Sequence, residues 1–171
     1  RFIRQFILNM YRFLFRLRSS TVIFQNKDDR NLFLEEKVVN ESNSVVIRGN
    51  GIDVNRFRRK SYPEKITFLF ASRLLIDKGI IEYYEAAENL KNDQLSFLIA
   101  GGIDKDNPNS LSAVQFKTIV NQKWLDYLGE VDYEDMPKIF NLANVFVLPS
   151  YREGLPKVAL EAASCEMPLI L

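Results

Sequence analysis

Beyond Glu64 short apolar runs and helical stretches take turns along the chain, and few folds accept that pattern. Apolar runs at 66–71, 95–100, 124–128, 145–148 and 168–171 alternate with helical stretches near 79–91, 110–122, 134–143 and 156–165. Continuous apolar runs of this length read as strands buried on both faces, the habit of parallel sheets covered by helices. Crossovers between parallel strands are right-handed, so residues 65–171 are expected to form an α/β, Rossmann-like, doubly wound parallel sheet. In the first of these helices Ile80, Tyr84 and Ala87 recur at i, i+4 and i+7 and predict its core face.

The preceding residues are organised differently. Residues 1–17 read as a helix with Ile3, Phe6, Ile7, Met10, Phe13, Leu14 and Leu17 at helical spacing, and Arg1, Gln5, Asn9, Arg12 and Arg16 opposite them. A strand from Thr21 to Phe24, a polar helix from Lys27 to Glu35, a turn at Asn40 to Asn43 and a strand from Val45 to Ile47 follow. From Asp53 to Pro63 the chain is charged and aperiodic, which marks a linker. The expected layout is a partial N-terminal domain at 1–56, a linker at 57–64 and the larger α/β domain at 65–171. The chain starts without methionine and stops on the strand-like Pro168-Leu169-Ile170-Leu171, so both ends look like cuts through a longer protein.

Composition removes several kinds of chemistry. With no histidine, His-based acid–base catalysis, His-containing triads and the common zinc sites are excluded within this segment. The single Cys165 leaves no internal disulfide and fits a reducing compartment. A net charge of +1 gives the 171 residues no bulk attraction for nucleic acid. The positive charge gathers at the start, where Arg1, Arg4, Arg12, Arg16, Arg18 and Lys27 precede the first acid, Asp28. Arg12 and Arg16 also interrupt any apolar centre a secretory signal would need. A cationic amphipathic helix at 1–18 suits either packing within a domain or contact with an anionic membrane surface.

In a doubly wound sheet ligands bind beyond the carboxyl ends of the strands, and two loops at that edge are unusual. After strand 66–71 comes Ser72-Arg73-Leu74-Leu75-Ile76-Asp77-Lys78-Gly79. It sets a planar guanidinium and a compact ammonium between a strand and a helix, a pair suited to a phosphate chain. The blander alternative is a solvated loop with Asp77 as helix N-cap. After strand 145–148 comes Pro149-Ser150-Tyr151-Arg152-Glu153-Gly154-Leu155-Pro156, then a helix containing Glu161. Pro156 suits the first helical position, and Gly154 lets the backbone approach a ligand. The N–H groups that open this helix are an anion site, and Glu161 lies about 7–8 Å further along it. Carboxylates repel phosphate, so Glu153 and Glu161 are expected to accept hydrogen bonds from hydroxyls on either side of a diphosphate. Otherwise they are solvated surface charges.

Glu153-Gly154-Leu155-Pro156, with Glu161 eight positions after Glu153, resembles the E-x7-E signature of retaining glycosyltransferases with the GT-B fold. The likeness is to family 4, the group 1 glycosyltransferases. Leu148-Pro149-Ser150-Tyr151 and Glu161-Ala162-Ala163 fit the same pattern, Arg73-Leu74 with Lys78-Gly79-Ile80 resembles the diphosphate-binding segment, and Asn50-Gly51-Ile52-Asp53 resembles the interdomain turn. Where the family commonly has small residues and glycine, Ser164-Cys165-Glu166-Met167 stands instead.

The resemblance implies a donor site for a nucleotide-sugar, most often a UDP-sugar. Arg73 and Lys78 would hold the diphosphate, Glu161 the ribose hydroxyls, and Glu153 the transferred sugar, with Glu153, Arg73 and Lys78 as the catalytic set. Gly154 and Leu155 would line the donor site, and backbone near Leu128 and Gly129 would meet the base. It further implies no metal and no cofactor, a glycan or lipid-linked acceptor, and a cytoplasmic place at or near the inner membrane face. By itself the fragment would bind a donor without catalysing transfer, since groups of the N-terminal domain would be missing. A GT-B isomerase or phosphorylase and a non-catalytic binding or membrane-interaction module remain as alternatives.

Overall fold

The structure, a computed structural model, describes residues 2–17, 20–49 and 51–171. Arg1, Arg18 and Asn50 lie outside the described residues, as do the side chains of Arg16 and Leu17. The chain forms two compact units, Arg1–Asn50 and Gly51–Leu171.

The first unit contains α1 (Phe2–Leu17), β1 (Val22–Phe24), α2 (Lys27–Glu35) and β2 (Ser44–Val46). The strands pair in parallel, Ile23 opposite Val45. Asn26 starts α2 by accepting the Asp29 N–H at 2.7 Å, and Asn40 caps the single tight turn Glu41–Asn43. The core is Leu8, Phe24, Val38 and Val39, with Tyr11, Phe15, Phe33 and Leu34 packed against it.

α1 docks through residues outside the apolar stripe read from the sequence. The helix docks through Leu8, Tyr11 and Phe15, while Ile3, Phe6, Ile7, Met10, Phe13 and Leu14 are exposed. Two of its arginines fix that orientation. Arg4 pairs with Glu36 at 2.6 Å, and Arg12 donates through Nε to the Glu36 carbonyl at 3.0 Å. α1 carries apolar side chains on both sides, so periodicity alone could not choose the buried face.

The second unit contains β3 (Ile66–Ala71), α3 (Ile80–Leu90), β4 (Leu95–Ala100), α4 (Ala113–Val120), β5 (Leu125–Tyr127), α5 (Met136–Phe140), β6 (Val145–Val147), α6 (Lys157–Ser164) and β7 (Leu169–Ile170). Every expected strand and helix is present, shortened by a residue or more at most ends. The strands form one parallel sheet in the order β5-β4-β3-β6-β7. The chain starts mid-sheet at β3, builds outward through β4 and β5, then returns to add β6 and β7 on the other side. The winding therefore reverses between β3 and β6, and the crevice at their carboxyl ends is the topological switch point where such sheets bind ligands.

Leu69, Phe70, Ile99, Phe140, Phe146 and Ala162 are buried together in one core. Phe68 and Phe97, opposite one another in the β3–β4 register, stack at 5.5 Å. On α3 the buried set is Ile80, Tyr83 and Ala87, not Tyr84 as expected. The Tyr83 hydroxyl lies 3.0 Å from the carbonyls of both Phe68 and Leu98, which satisfies its buried polar end. Tyr84 instead lies beside Trp124, ring centroids 5.7 Å apart.

The segment 57–64, expected as a linker, belongs to the second unit. Phe57 is fully buried, edge-on to Phe140 at 5.9 Å. Ser164 donates to the Phe57 carbonyl at 2.7 Å, and Arg59 donates to the carbonyls of Phe140 and Ala143 at 3.1 and 3.0 Å. Charged residues hid this docking because one aromatic anchor produces no period.

Candidate functional site

The loops after β3 and β6 meet at the switch point. Gly79, at φ +77°, lies so close to Pro149 that a Cβ there would sit 2.2 Å from the Pro149 oxygen. The Tyr151 N–H donates to the Asp77 carbonyl at 3.0 Å, and the Tyr151 hydroxyl donates to Glu82. Lys78 Nζ donates to Glu153 Oε1 at 2.6 Å, and the Ser150 hydroxyl adds a second donor to that oxygen at 3.1 Å. Lys78 and Glu153, distant in sequence, therefore form a half-buried ion pair across the junction. Asp77 does not cap α3, whose N-cap is Gly79. Pro156 likewise stands one residue before the position expected, as the N-cap of α6.

Beside this junction is a cleft of about 380 Å³ lined by Ser72, Arg73, Gly101, Gly102, Glu130, Tyr133 and Glu161, among others. Gly101 is required at its base, because a Cβ would lie 1.8 Å from the Ser72 carbonyl oxygen. Arg73 reaches Asp104 through Nη1 at 2.9 Å and is otherwise largely exposed. Glu161 is not a solvent-facing helix residue. It is 4% exposed, and its Oε1 has no hydrogen-bond partner among the described residues. Burial raises its pKa above the ordinary carboxylate value, opposed by Lys157, whose ammonium lies 3.6 Å away. A buried carboxylate oxygen left without a donor, at a strand-end crevice, is an acceptor waiting for one.

The structure brings Arg73 and Glu161 into one cleft and joins Lys78 to Glu153 beside it. Gly154 is uncrowded and Leu155 is exposed. Leu128 is placed elsewhere: its N–H donates to the Ile99 carbonyl at 2.8 Å and it lines a different cavity, with Thr67 and Leu142. The Gly129 carbonyl accepts the Gly101 N–H at 2.8 Å. From that loop it is Glu130, Val131 and Tyr133 that reach the cleft. Sequence reasoning passed over these three and Lys157. The available signal was positional: Glu130, Val131 and Tyr133 follow β5, and Lys157 opens α6 after β6, all at the same carboxyl edge as the loops carrying Arg73 and Glu153.

Tyr133 organises this wall. Arg56 and Lys157 lie over its ring, with the guanidinium carbon 4.6 Å and the ammonium 4.3 Å from the centroid. Lys157 also donates to the Tyr133 hydroxyl at 3.1 Å. The buried Cys165 thiol has its pKa pushed up by desolvation, the mark of a structural cysteine. Among the described residues no helix is long and apolar enough to cross a membrane.

The chain is similar to known proteins in sequence and in fold. The family described as "Glycosyl transferases group 1" matches residues 51–171, the same residues as the second compact unit. An N,N'-diacetylbacillosaminyl-diphospho-undecaprenol alpha-1,3-N-acetylgalactosaminyltransferase of Campylobacter jejuni is 29% identical over 182 residues, covering 98% of this chain and 46% of that protein. A UDP-Gal:alpha-D-GlcNAc-diphosphoundecaprenol alpha-1,3-galactosyltransferase of Escherichia coli is 30% identical over 170 residues, covering 90% and 42%. The chain thus spans about half the length of the curated relatives it matches. The fold is also that of Anabaena HepE, crystallised with UDP-glucose, with a TM-score of 0.67 at 18% identity over 88% of this chain and 44% of that one. Since the family match takes in more than half of the chain, including both strand-end loops and the cleft beside them, the chain belongs to the group 1 glycosyl transferases.

Proposed function

We propose that this chain carries the donor site of a retaining glycosyltransferase, which moves a sugar from a UDP-sugar to a lipid-linked or polysaccharide acceptor. The observation that carries the reading is Glu161, buried at the switch point with an unpartnered oxygen and facing the same cleft as Arg73. In this reading Glu161 accepts from the ribose hydroxyls, Arg73 and Lys78 draw the diphosphate to the opening of α6, and Glu153 meets the transferred sugar. Gly154 and Leu155 complete the donor wall, and the base lies along the loop that begins at Gly129. Developing charge on the leaving diphosphate is met by fixed cations and a helix N-terminus, so the reaction needs no metal and no cofactor. The UDP-linked and undecaprenol-linked substrates in the names of the relatives support the choice of donor and acceptor class.

Titration calorimetry with UDP, UDP-sugars and uridine tests this. Arg73→Ala and Lys78→Ala should each weaken UDP by about 1.5–3 kcal/mol, roughly tenfold or more in Kd, and leave uridine nearly unchanged. Equal losses for both ligands would refute the phosphate roles, and no UDP binding by the folded protein would end the donor reading. Added EDTA should not change turnover in the whole enzyme.

Peripheral membrane contact at the inner face of the plasma membrane is a second part of the proposal. It is favoured by the exposed Phe2, Ile3, Phe6, Met10 and Phe13 of α1. Co-sedimentation with anionic vesicles should be lost in a Phe6→Ser/Phe13→Ser double variant. Sedimentation that is unaffected, or absent from the start, would discard it.

A further inference from the structure

Lys157 occupies a place that helix energetics disfavours. It is the first residue of α6, where the macrodipole repels cations, and its Glu161 partner stands in the weaker Lys-to-Glu order along the helix. Its side chain is 53% exposed and flexible, so packing gives it no reason to hold one conformation. It nonetheless has a defined neighbour. Its ammonium rests over the Tyr133 ring and donates to the Tyr133 hydroxyl, and Tyr133 is itself held against Phe57 at 5.7 Å and beneath Arg56.

We infer that Lys157, steered by Tyr133, is the positioning residue that keeps the buried Glu161 ionised while leaving its free oxygen available to the donor. This rests on the reading of Glu161 as the hydroxyl acceptor. A nearly fully buried carboxylate is costly to ionise without a countercharge. The separation of 3.6 Å is close enough for that countercharge and too long for a hydrogen bond, so Oε1 keeps its lone pairs for a ligand.

The other groups facing Glu161 do not replace Lys157. Arg73, across the cleft, is paired with Asp104, and Arg56 is paired with Glu134 at 3.6 Å. Glu130, also on the cleft, has the wrong sign, and Cys165, one turn further along α6, is held neutral. The balance at Glu161 follows the same ranking. Burial raises its pKa most, Lys157 opposes it, and Tyr133 and Arg56 contribute less.

UDP affinity measured by calorimetry from mildly acidic to mildly alkaline pH tests the inference. Dividing each variant's affinity by that of the wild type at the same pH removes the titration of UDP itself. Lys157→Met should lose about tenfold on the acidic side, with the acid limb moved up by about one pH unit, and recover at alkaline pH. Lys157→Arg should restore the wild-type profile, and Tyr133→Phe should shift it in the Lys157→Met direction by less. A Lys157→Met loss that is equal at every pH would mean that Lys157 touches the donor directly, and no loss at all would mean that it does nothing there. Either overturns the inference. Glu161→Gln separates this from the underlying reading. If it weakens UDP while Lys157→Met leaves the profile unmoved, only the positioning role fails. If it leaves UDP affinity intact, the acceptor role of Glu161 fails first.

Discussion

Gly79 is where the loops after β3 and β6 touch, so Gly79→Ala tests whether that contact holds the site together. Two costs add. A non-glycine residue held at φ +77° loses about 1–2 kcal/mol to the clash of its Cβ with the backbone. The new methyl would also stand 2.2 Å from the Pro149 oxygen, 2.6 Å from its carbonyl carbon and 2.7 Å from its Cγ. Two of these atoms are backbone, so relief requires moving the 149–155 loop rather than turning a side chain. Overpacking of this kind costs about 1–3 kcal/mol. Together the terms predict a loss of about 2–5 kcal/mol, which at about 2–4 °C per kcal/mol lowers Tm by roughly 4–20 °C. Moving Pro149 also carries Ser150 and Glu153 away from Lys78, so UDP-sugar affinity should fall in whatever fraction stays folded. Differential scanning calorimetry and ligand titration read the two effects. Gly154→Ala is the internal control, since a Cβ there meets nothing within 4 Å and its φ is not positive. If Gly79→Ala melts with Gly154→Ala, the two loops are not locked at this point and the argument fails.

Three further outcomes follow from the same structure. Because burial raises the Glu161 pKa above its ordinary 4.5, the folded chain holds that proton more tightly than the unfolded chain. Ionising it therefore costs stability as pH rises from 4.5 through the folded value, and the cost is complete above that. Glu161→Gln should melt roughly 2–6 °C higher at neutral pH, with the gap closing toward pH 4.5, and a lower neutral Tm would contradict the unpartnered-carboxylate account. Phe57→Ala should cost about 3–5 kcal/mol by chemical denaturation, whereas a near-neutral effect would return 57–64 to the status of a linker. Glu153→Gln should leave UDP affinity unchanged or raised, because Lys78 is released, while weakening the UDP-sugar. Equal weakening of both ligands would reassign Glu153 from the sugar to the nucleotide.

What sequence could reveal here depended on whether one segment carried the whole signal. The strands of the second unit are continuous apolar runs and Glu161 sits at a fixed distance from Glu153, so both were legible without any knowledge of neighbours. α1 was not, because an apolar stripe says that a face can be buried but not against what. The side that docks was decided by Leu8, Tyr11 and Phe15 meeting Phe24 and Val38, and by Glu36 drawing in Arg4 and Arg12. Tyr83 displaced Tyr84 for a related reason: its hydroxyl found two strand carbonyls, which no helical period can foresee.

The candidate site divides in the same way. Arg73, Lys78, Glu153 and Glu161 lie in two short motifs, each readable as a string. Glu130, Tyr133 and Lys157 acquire their roles only when the β5 loop, α6 and the Arg56–Phe57 segment come together. Tyr133 is the clearest case, an ordinary aromatic in sequence that becomes the support for a cation beside a buried acid. In the proposed donor site, therefore, the motif supplies the group that would meet the ligand, and tertiary contacts supply the charges around it. On that ground the variation that tunes donor affinity among such proteins should fall on the residues around Glu161 rather than on Glu161 itself.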